Sequence, residues 1–529
     1  MIFIETYDYR TRASREMTAA SLLSFAASQR QDAEARWNLV TDYYEGRHHT
    51  QAEIAESCRD AGIPWIAAVS PDLYLHVESQ IAPDAPAFSF RPRDNVSDPG
   101  KALQREQVVR YITETANLAA LAPLHERRCI LCGTAVWKVF WADTPHGEDV
   151  RIADIDPRSL YPDPAARRIE DCEYVNYVYR LHRRAVDRLY GPELEALGLD
   201  AATLSANSII PDDDRASFDE ADETLPVVEH WYRRGDRGIA LSILVAGHEV
   251  RHVPDYWART GCDLFPFVFQ YRVAQGEELW GRSDLEPALP LVDAIDRELA
   301  IAQLQSAFTG SDVILSEYDA FSEPPELRPG ALWHLKPGHI DRVKRLGGLG
   351  SNENRYASID HLRDMIQDAI GNYDIGMGRE PSRTLSATGL ATLIENANIR
   401  KAPKKAERMR AYAALYRLID WTALEFYQPR RVIRLGAGQE VFLFDPDHLR
   451  DESGYFPGVD CVVSTEDPLQ TSRAYTLSVA ESLLSHQVTR ENYPLFLRAV
   501  SVLDEHAAAE LKEHFKSVFP NDTANLPVE

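Results

Sequence analysis

The chain has 529 residues, 44% of them hydrophobic and 26% charged, and its formal net charge is −25 at pH 7. This length is too great for one core and predicts two to four globular domains. The acidic excess argues against a surface that grips nucleic acid by neutralising phosphates, but it allows an acidic wall past which DNA slides.

The composition also indicates in which cellular compartment the protein begins. The sequence has six cysteines, no apolar run of about eighteen residues and no signal-peptide pattern at its start. These features predict a protein that begins in a reducing compartment, the cytoplasm, without a membrane span.

The first half of the chain predicts helices followed by antiparallel strands. Apolar residues at helical spacing indicate helices over residues 14–44, 64–81 and 101–127. Alternating side chains over residues 134–141, a turn at 145–147 and a second run over 148–155 predict a β-hairpin. Further strands are predicted over residues 174–180, 227–232, 239–245 and 265–271, with a short helix over 183–198.

The middle of the chain carries two amphipathic helices, separated by a segment punctuated by glycine and proline. The first covers residues 287–306, and a rise of about 1.5 Å per residue makes it about 30 Å long, enough to carry the next segment away from the main body. Its apolar stripe consists of Leu285, Ala288, Val292, Ile295, Leu299 and Ala302. The second stripe consists of Ile359, Leu362, Met365 or Ile366, Ala369 or Ile370, and Tyr373. This spacing predicts that the two helices pack together and present a small mixed tip.

A loop and a very long helix follow. Residues 371–387 are rich in glycine and serine, contain Arg379 and Arg383 as their only cations, and predict a mobile loop. Residues 388–427 form one long helical pattern, kinked or broken near Pro403. The remaining predicted elements are a hairpin over 432–444, a strand over 459–464 and helices over 473–514.

Several short phrases along the chain keep the order that they have in one known family. They are Asp156-Pro157, Asp163-Pro164, Leu279-Trp280-Gly281-Arg282-Ser283-Asp284, the helix, tip and helix, the loop rich in glycine and serine, and Ser386-Ala387-Thr388-Gly389 at the start of the long helix. Each phrase alone has little specificity. In this order, over roughly residues 37–483, the chain resembles the portal proteins of tailed bacteriophages.

The resemblance implies an α+β, portal-type fold with a helical stem hairpin, a small αβ clip, a mixed wing with a long spine helix, and a helical crown. By position, the regions are the N-terminal wing (1–284), first stem helix (285–310), clip (311–345), second stem helix (346–373), tunnel loop (374–388), the spine helix and β part of the wing (389–475), and the crown (476–529). The C-terminal region departs from the family because it is short and has no evident long barrel helix.

The resemblance also implies a function without catalysis and without a cofactor. Portal proteins form a ring, usually dodecameric, at one capsid vertex, and its channel carries DNA during packaging and ejection. The implied partners are further copies of the chain, double-stranded DNA, the terminase large subunit, capsid and scaffolding proteins, and neck or adaptor proteins, with no membrane. The implied location is the portal vertex of the virion, after a stage in the host cytoplasm. ATP hydrolysis must come from a partner, since the sequence has no GxxxxGK[ST] loop.

The implied site residues fall into three groups. DNA contacts in the tunnel loop are expected of Arg379 and Arg383, for which the alternative is solvated loop cations. Contacts between neighbouring stems are expected of Val292, Ile295, Leu299, Leu362 and Ile366, for which the alternative is burial in the chain's own core. Partner binding by the clip is expected of Glu317, Glu323, Arg342, Lys344 and Arg345.

A second hypothesis is a metal-dependent phage nuclease. Its carboxylates would be Asp154 and Asp156, on one predicted strand face, together with the acidic loop at Asp212-Asp213-Asp214. The plainer interpretation is that Asp156 before Pro157 forms a turn, and that the consecutive acids lie on a hydrated loop.

A cysteine pair, a histidine pair and a basic cluster could each suggest a functional site, but the sequence favours a structural role for all three. Cys129 and Cys132 have CxxC spacing without a second pair, which predicts buried thiols and not a zinc site. The pair His48-His49 predicts surface histidines. A basic cluster predicts a solvated helix face, with a DNA or capsid contact as the alternative. The cluster consists of Lys401, Lys404, Lys405, Arg408 and Arg410.

Overall fold

The computed structural model describes most of the chain between residues 9 and 463. The described residues are 9–48, 69–82, 84–93, 99–144, 147–204, 223–235, 238–309, 313–317, 320–322, 334–346, 353–373, 387–428, 431–434, 441–451 and 454–463. They contain both helices and sheets, so the α+β class is confirmed. The chain divides into a first unit of residues 1–85 and 90–461 and a second unit of residues 86–89 and 462–529.

The N-terminal part is mainly helical, as predicted, with one additional break. Its elements are α1 (Arg12–Tyr44), α2 (Asp72–Glu78), β1 (Phe88–Pro92), α3 (Pro99–Thr115) and α4 (Leu118–Cys132). α1 begins after Thr11, whose hydroxyl accepts a hydrogen bond from the Ser14 N–H at 3.2 Å. The single helix predicted over 101–127 is instead two helices. The break follows from Asn117, which adopts a φ of 53°, a left-handed conformation that asparagine tolerates better than most residues.

Two antiparallel sheets form the central part. Their strands are β2 (Thr134–Thr144), β3 (Gly147–Ile155), β4 (Leu160–Pro162), β5 (Tyr174–His182), β6 (Thr224–Arg233), β7 (Ile239–Val245), β8 (His248–Val253) and β9 (Phe267–Tyr271). β3, β2 and β9 make a three-stranded sheet, and β4 to β8 make a five-stranded sheet in chain order. The predicted hairpin, the other predicted strands and the helix α5 (Arg183–Ala196) are confirmed, while β4 and β8 are additional.

A buried ion pair joins the two sheets. β2 is buried on both faces over residues 134–139, so Lys138 lies in the interior. Its ammonium donates to both carboxylate oxygens of Glu229 in β6 at 2.6 Å, and the indole N–H of Trp231 donates to the same carboxylate at 3.0 Å. Burial lowers the pKa of Lys138, and the charge of Glu229 opposes that shift.

The two Asp-Pro phrases are turns, as predicted. The Asp156 carboxylate accepts a hydrogen bond from the Arg158 N–H at 2.9 Å, and the Asp163 carboxylate accepts one from the Ala165 N–H at 3.0 Å. The buried guanidinium of Arg30, in α1, donates to the carbonyl oxygens of Arg158 at 2.7 Å and Leu160 at 2.8 Å. These hydrogen bonds join α1 to the turn that follows Asp156 and to β4.

The two predicted amphipathic helices are present and are called the helix pair below. They are α6 (Leu289–Thr309), preceded by a 3-10 turn at Glu286–Ala288, and α7 (Glu353–Ile370). Between them β10 (Val313–Ser316) pairs antiparallel with β11 (Val343–Leu346), and Phe321 forms a bridge with Leu335. The predicted mixed tip thus contains a small antiparallel sheet.

The spine helix, α8 (Ala387–Phe426), is 40 residues long and continues through Pro403. It packs on β9, α3 and β2. After it, β12 (Arg431–Arg434) and β13 (Val441–Phe444) form the predicted hairpin, and β14 (Val459–Val463) pairs with β1. The helices predicted over 473–514 lie outside the described residues. In the part of the chain that the structure describes, no helix has the length and apolar character needed to cross a membrane.

Candidate functional site: the helix pair and the polar junction at its base

The helices of the pair run antiparallel. Near the start of the second helix, the Arg355 guanidinium donates to the Glu298 carboxylate of the first at 2.8 Å. Leu289, at the start of the first helix, and Ile370, at the end of the second, belong to one apolar core. The pair therefore has a base, formed by residues 284–289 and 370–372, and a far end from which the chain leads to the small sheet.

Most of the apolar stripe of the helix pair is buried within the chain itself. Val292, Ile295 and Ile366 are at most 1% exposed. They pack in a core to which α1, α2 and α4 contribute Val40, Leu73, Val77, Ile130 and Leu131, and Leu299 and Leu362 are partly buried against it. This corrects the expectation that Val292, Ile295 and Ile366 contact a neighbouring subunit. A side chain buried in its own subunit has no free surface for another, so such contacts require the outer face of the pair.

The outer face of the second helix is acidic. Asp360, Asp364 and Asp368 are exposed and follow one another at intervals of four residues, which places them on one side of the helix. Like charges at this spacing reduce helix stability, and Asp360 also forms an ion pair with Arg363 at 3.6 Å. The three aspartates are called the acidic stripe below. The side chains of Tyr356 and Met365 on the same helix are also exposed, by 51% and 43%.

A single ammonium group holds both sides of the base. Lys404, on the spine helix, forms an ion pair with Asp284, which precedes the first helix of the pair. The same Nζ atom donates to the carbonyl oxygen of Ile370, the last residue of the second helix, at 3.2 Å. A cation at a helix C-terminus is favourable because the last carbonyl groups have no partner within the helix.

Asp284 also binds a second cation. The Arg272 guanidinium donates to the Asp284 carboxylate at 2.8 Å and to the side-chain oxygen of Gln80, which lies just after α2. Burial alone would raise the pKa of Asp284, but the charges and hydrogen bonds of Arg272 and Lys404 outweigh it and hold the pKa below its ordinary value. The carboxylate is therefore ionised at neutral pH.

One turn before Lys404, a second lysine holds the residue that follows the helix pair. The Lys401 ammonium donates to the side-chain oxygen of Asn372 at 3.0 Å. The Asn372 amide nitrogen in turn donates to the Ser79 hydroxyl at 2.8 Å. Burial, and then the positive charges of Lys404 and Arg272, lower the pKa of Lys401. Asp284, Arg272, Lys401, Lys404 and Asn372 are called the polar junction below.

The polar junction corrects both interpretations of the basic cluster. Lys404 is engaged with Asp284, and Arg408 is paired with the buried Glu126 at 2.6 Å, so neither is a solvated cation or a free DNA contact. Lys405 is exposed, and Arg410, which is 46% exposed, pairs with Glu407 at 2.9 Å. Only part of the cluster is therefore a solvated helix face. The signal that sequence reasoning missed is the presence of Asp284 in the phrase that leads into the first helix.

The lowered pKa of Asp284 predicts an acid-dependent loss of stability at the polar junction. A carboxyl group with a lower pKa in the folded state stabilises the fold above its ordinary pKa, here 3.8, and this contribution is lost as the pH falls through the folded-state value. We expect Asp284→Asn to be less stable than the wild type at neutral pH, with a difference that shrinks below about pH 4.

Urea unfolding at a series of pH values measures this difference in the free energy of unfolding. Asp364→Asn is the matched control, since it removes an exposed carboxylate of the acidic stripe, and we expect little effect at any pH. A difference for Asp284→Asn that persists unchanged into acid would contradict the assignment.

The structure describes only some of the residues expected at the tip and the loop. Glu317 and Arg342 form an exposed ion pair at 3.3 Å beside the small sheet. Lys344 and Arg345 lie on β11, opposite Leu315 and Ile314. Glu323, Arg379 and Arg383 lie outside the described residues, so their expected contacts stay predictions.

The carboxylates of the nuclease hypothesis have structural partners. Asp154 is paired with His125 at 2.8 Å and with Arg128. Asp156 caps the turn described above, and the acidic loop lies outside the described residues. Among the residues that the structure describes, no cluster of three or more His, Cys, Asp or Glu side chains is arranged to hold a metal ion.

The prediction of buried cysteines is confirmed, but the prediction of a surface histidine at position 48 is wrong. Cys129 and Cys132 are buried, as predicted, and burial raises the pKa of both thiols, that of Cys132 to about 11. His48 is not a surface residue, because its side chain is 1% exposed and pairs with the buried Asp296 of the first helix at 2.8 Å. The prediction for His48 was wrong because the partner lies almost 250 residues away in the sequence, and His49 lies outside the described residues.

Comparison with known proteins adds no assignment. No protein-family model matches the sequence, and no curated protein matches it.

Proposed function

We propose that the chain is the subunit of a portal protein. In this proposal, about twelve copies form a ring at one capsid vertex. The ring is the channel for packaging and ejection of double-stranded DNA. The fold would then be of the portal type, with the helix pair as the stem, the small sheet region as the clip, the spine helix in the wing and a helical crown.

The observation that carries the proposal is the arrangement around the helix pair. Two antiparallel helices have a small antiparallel sheet between them in the chain, and their shared base is bound to a 40-residue helix by Lys404. A first helix of 21 residues spans about 30 Å, which suits a stem that carries a clip away from a wing. This order of parts, with the Asp-Pro turns before it, is what the resemblance to portal proteins requires.

The acidic stripe supports a channel through which DNA slides. Each phosphate neutralised by a basic wall would release counterions and add to the cost of leaving that site. A wall bearing Asp360, Asp364 and Asp368 instead repels phosphates, and the net charge of −25 has the same sign. In this proposal, the acidic stripe faces the channel.

The partners follow from the same arrangement. The tip, with its exposed pair Glu317 and Arg342, is the proposed docking site for the terminase large subunit during packaging and for neck or adaptor proteins afterwards. Capsid and scaffolding proteins would contact the wing. The proposed location is the portal vertex of the virion, after assembly in the host cytoplasm. The ring needs no catalytic residue or cofactor of its own, because the motor supplies the energy.

Loss of the two loop cations tests the DNA contact. We expect Arg379→Ala with Arg383→Ala to leave ring assembly intact and to lower the fraction of filled capsids that keep their DNA, because two cations that oppose slippage are lost. DNA content per particle measures retention, and Arg167→Ala, which removes an exposed arginine of the turn region, is the control. Failure of the double variant to form rings would contradict the loop assignment.

Among the residues that the structure describes, nothing favours the nuclease alternative. A Mg²⁺ site needs carboxylate oxygens that are free to bind the ion. Asp154 is engaged by His125 and Arg128, and Asp156 caps its own turn, so these two would first have to give up contacts that hold the fold.

A further inference from the structure

The described side chains of the spine helix lie outside the apolar core of the helix pair. The helix pair packs with α1, α2 and α4 through Ile295, Ile366 and their neighbours. Among the spine side chains that the structure describes, at 399 and 401–426, none belongs to that core. The buried side chains of the spine, such as Tyr412 and Leu415, lie in the part of the helix that packs on β9, α3 and β2.

The helix pair and the spine helix contact each other at the polar junction. Lys404 reaches Asp284 on one side of the base and the Ile370 carbonyl on the other, and Lys401 reaches Asn372 two residues further on. Asp284, Ile370 and Lys404 also line a cleft of about 440 Å³, so the base of the pair is not closed against the spine by apolar packing at this point. Among the side chains that the structure describes, the contacts between the base of the pair and the spine at this point are therefore polar.

We propose that Lys404 is a positioning residue that couples the helix pair to the spine helix. Its ammonium fixes the start of one helix and the end of the other, so both move with the spine. Lys401 extends the same coupling to Asn372, from which the chain continues into residues 374–386 and then into the spine itself at Ala387. This coupling stands on the contacts alone, whereas its meaning for a DNA channel rests on the proposed function.

We expect the variant Lys404→Met to fold, because Asp284 keeps a second cation in the polar junction. Lys404→Met keeps most of the length of the side chain and removes its charge, while Asp284 keeps its ion pair with Arg272 at 2.8 Å. No buried carboxylate is then left without a cation, which avoids the largest cost of breaking a buried pair. The main change is the loss of the link to Asp284 and Ile370.

Amide hydrogen exchange on the purified chain tests the coupling. In Lys404→Met we expect exchange at the base of the pair, residues 285–292 and 366–372, to rise about tenfold, while the β5 to β7 amides stay within about twofold of the wild type. Lys405→Met is the matched control, because Lys405 is the next residue on the same helix and is exposed. We expect it to change neither region. Unchanged exchange at the base, or an equal rise in every segment, would overturn the proposal.

A double-mutant cycle separates the coupling from a general loss of stability. In an Asp284→Asn background, Lys404→Met should raise exchange at the base by a clearly smaller factor than in the wild type, because the ion pair is already gone. Equal factors in the two backgrounds would show that Lys404 does not act through Asp284 and would overturn the proposal.

The exchange result and the oligomeric state are independent. If exchange rises at the base but the chain forms no ring, the coupling holds and the portal proposal fails. If rings form and exchange at the base is unchanged, the coupling alone fails.

Discussion

Ile295→Asp is expected to prevent the helix pair from folding. Ile295 is fully buried among Val292, Ile359 and Ile366. The change removes a buried aliphatic side chain, which costs about 2–5 kcal/mol, and adds a carboxylate without a partner, which costs several more. This sum is comparable to the free energy of unfolding of a typical domain, about 5–15 kcal/mol. Circular dichroism, solubility and urea unfolding of the purified variant measure the loss.

The control for this variant lies on the same helix. Gln303 is exposed, and Gln303→Asp changes the net charge by the same amount as Ile295→Asp, so we expect a change of about 0.5 kcal/mol or less. The contrary outcome is informative. If Ile295→Asp folds with normal stability but no longer assembles, Ile295 contacts a neighbouring subunit, as the resemblance implied. Its burial within the chain would then not explain the effect of the variant.

Asp420→Ala is expected to cost about 3–5 kcal/mol of stability, the range for breaking a buried ion pair from one side. Asp420, on the spine helix, is 2% exposed and accepts hydrogen bonds from Arg105 of α3, which is 1% exposed. Arg105 also donates to the Pro457 carbonyl oxygen at 2.6 Å. Without Asp420 the guanidinium stays buried with no counter-charge, so the contact between α3 and the spine is weakened.

An exposed ion pair provides the comparison for Asp420. Asp460 pairs with Arg93 at 3.0 Å, with 55% and 62% of the two side chains exposed, so Asp460→Ala should cost no more than about 1 kcal/mol. A double variant, Asp420→Leu with Arg105→Met, should recover much of the loss, because it removes both charges from the interior. If Asp420→Ala and Asp460→Ala have equal effects on the urea midpoint, the burial of the Arg105 pair is not significant for stability.

Local patterns predicted the elements of this fold well. The alternation at 134–141 and 148–155 gave β2 and β3, and the helical spacing after Leu285 gave the helix pair, because both signals come from residues close in sequence. The break at Asn117 was missed because the apolar spacing continues across it. A left-handed residue changes the direction of the chain without changing that spacing.

Long-range contacts explain what the sequence could not predict. Periodicity identified the apolar face that contains Ile295, but not whether that face is covered by the chain or by another copy. Lys404 and Asp284 are 120 residues apart, so a lysine in a basic cluster carried no sign of its partner. His48 was misjudged for the same reason. The predictions for Arg379, Arg383 and Glu323 concern residues outside the described ranges and stay predictions.

The mass of the purified protein in solution, with electron micrographs of the same sample, tests the central claim most directly. The proposal predicts a closed ring with a central hole and a mass of about 700 kDa if twelve copies of the 59.7-kDa chain assemble. A protein that stays monomeric at every concentration, and also when it is produced together with scaffolding and capsid proteins, would contradict it.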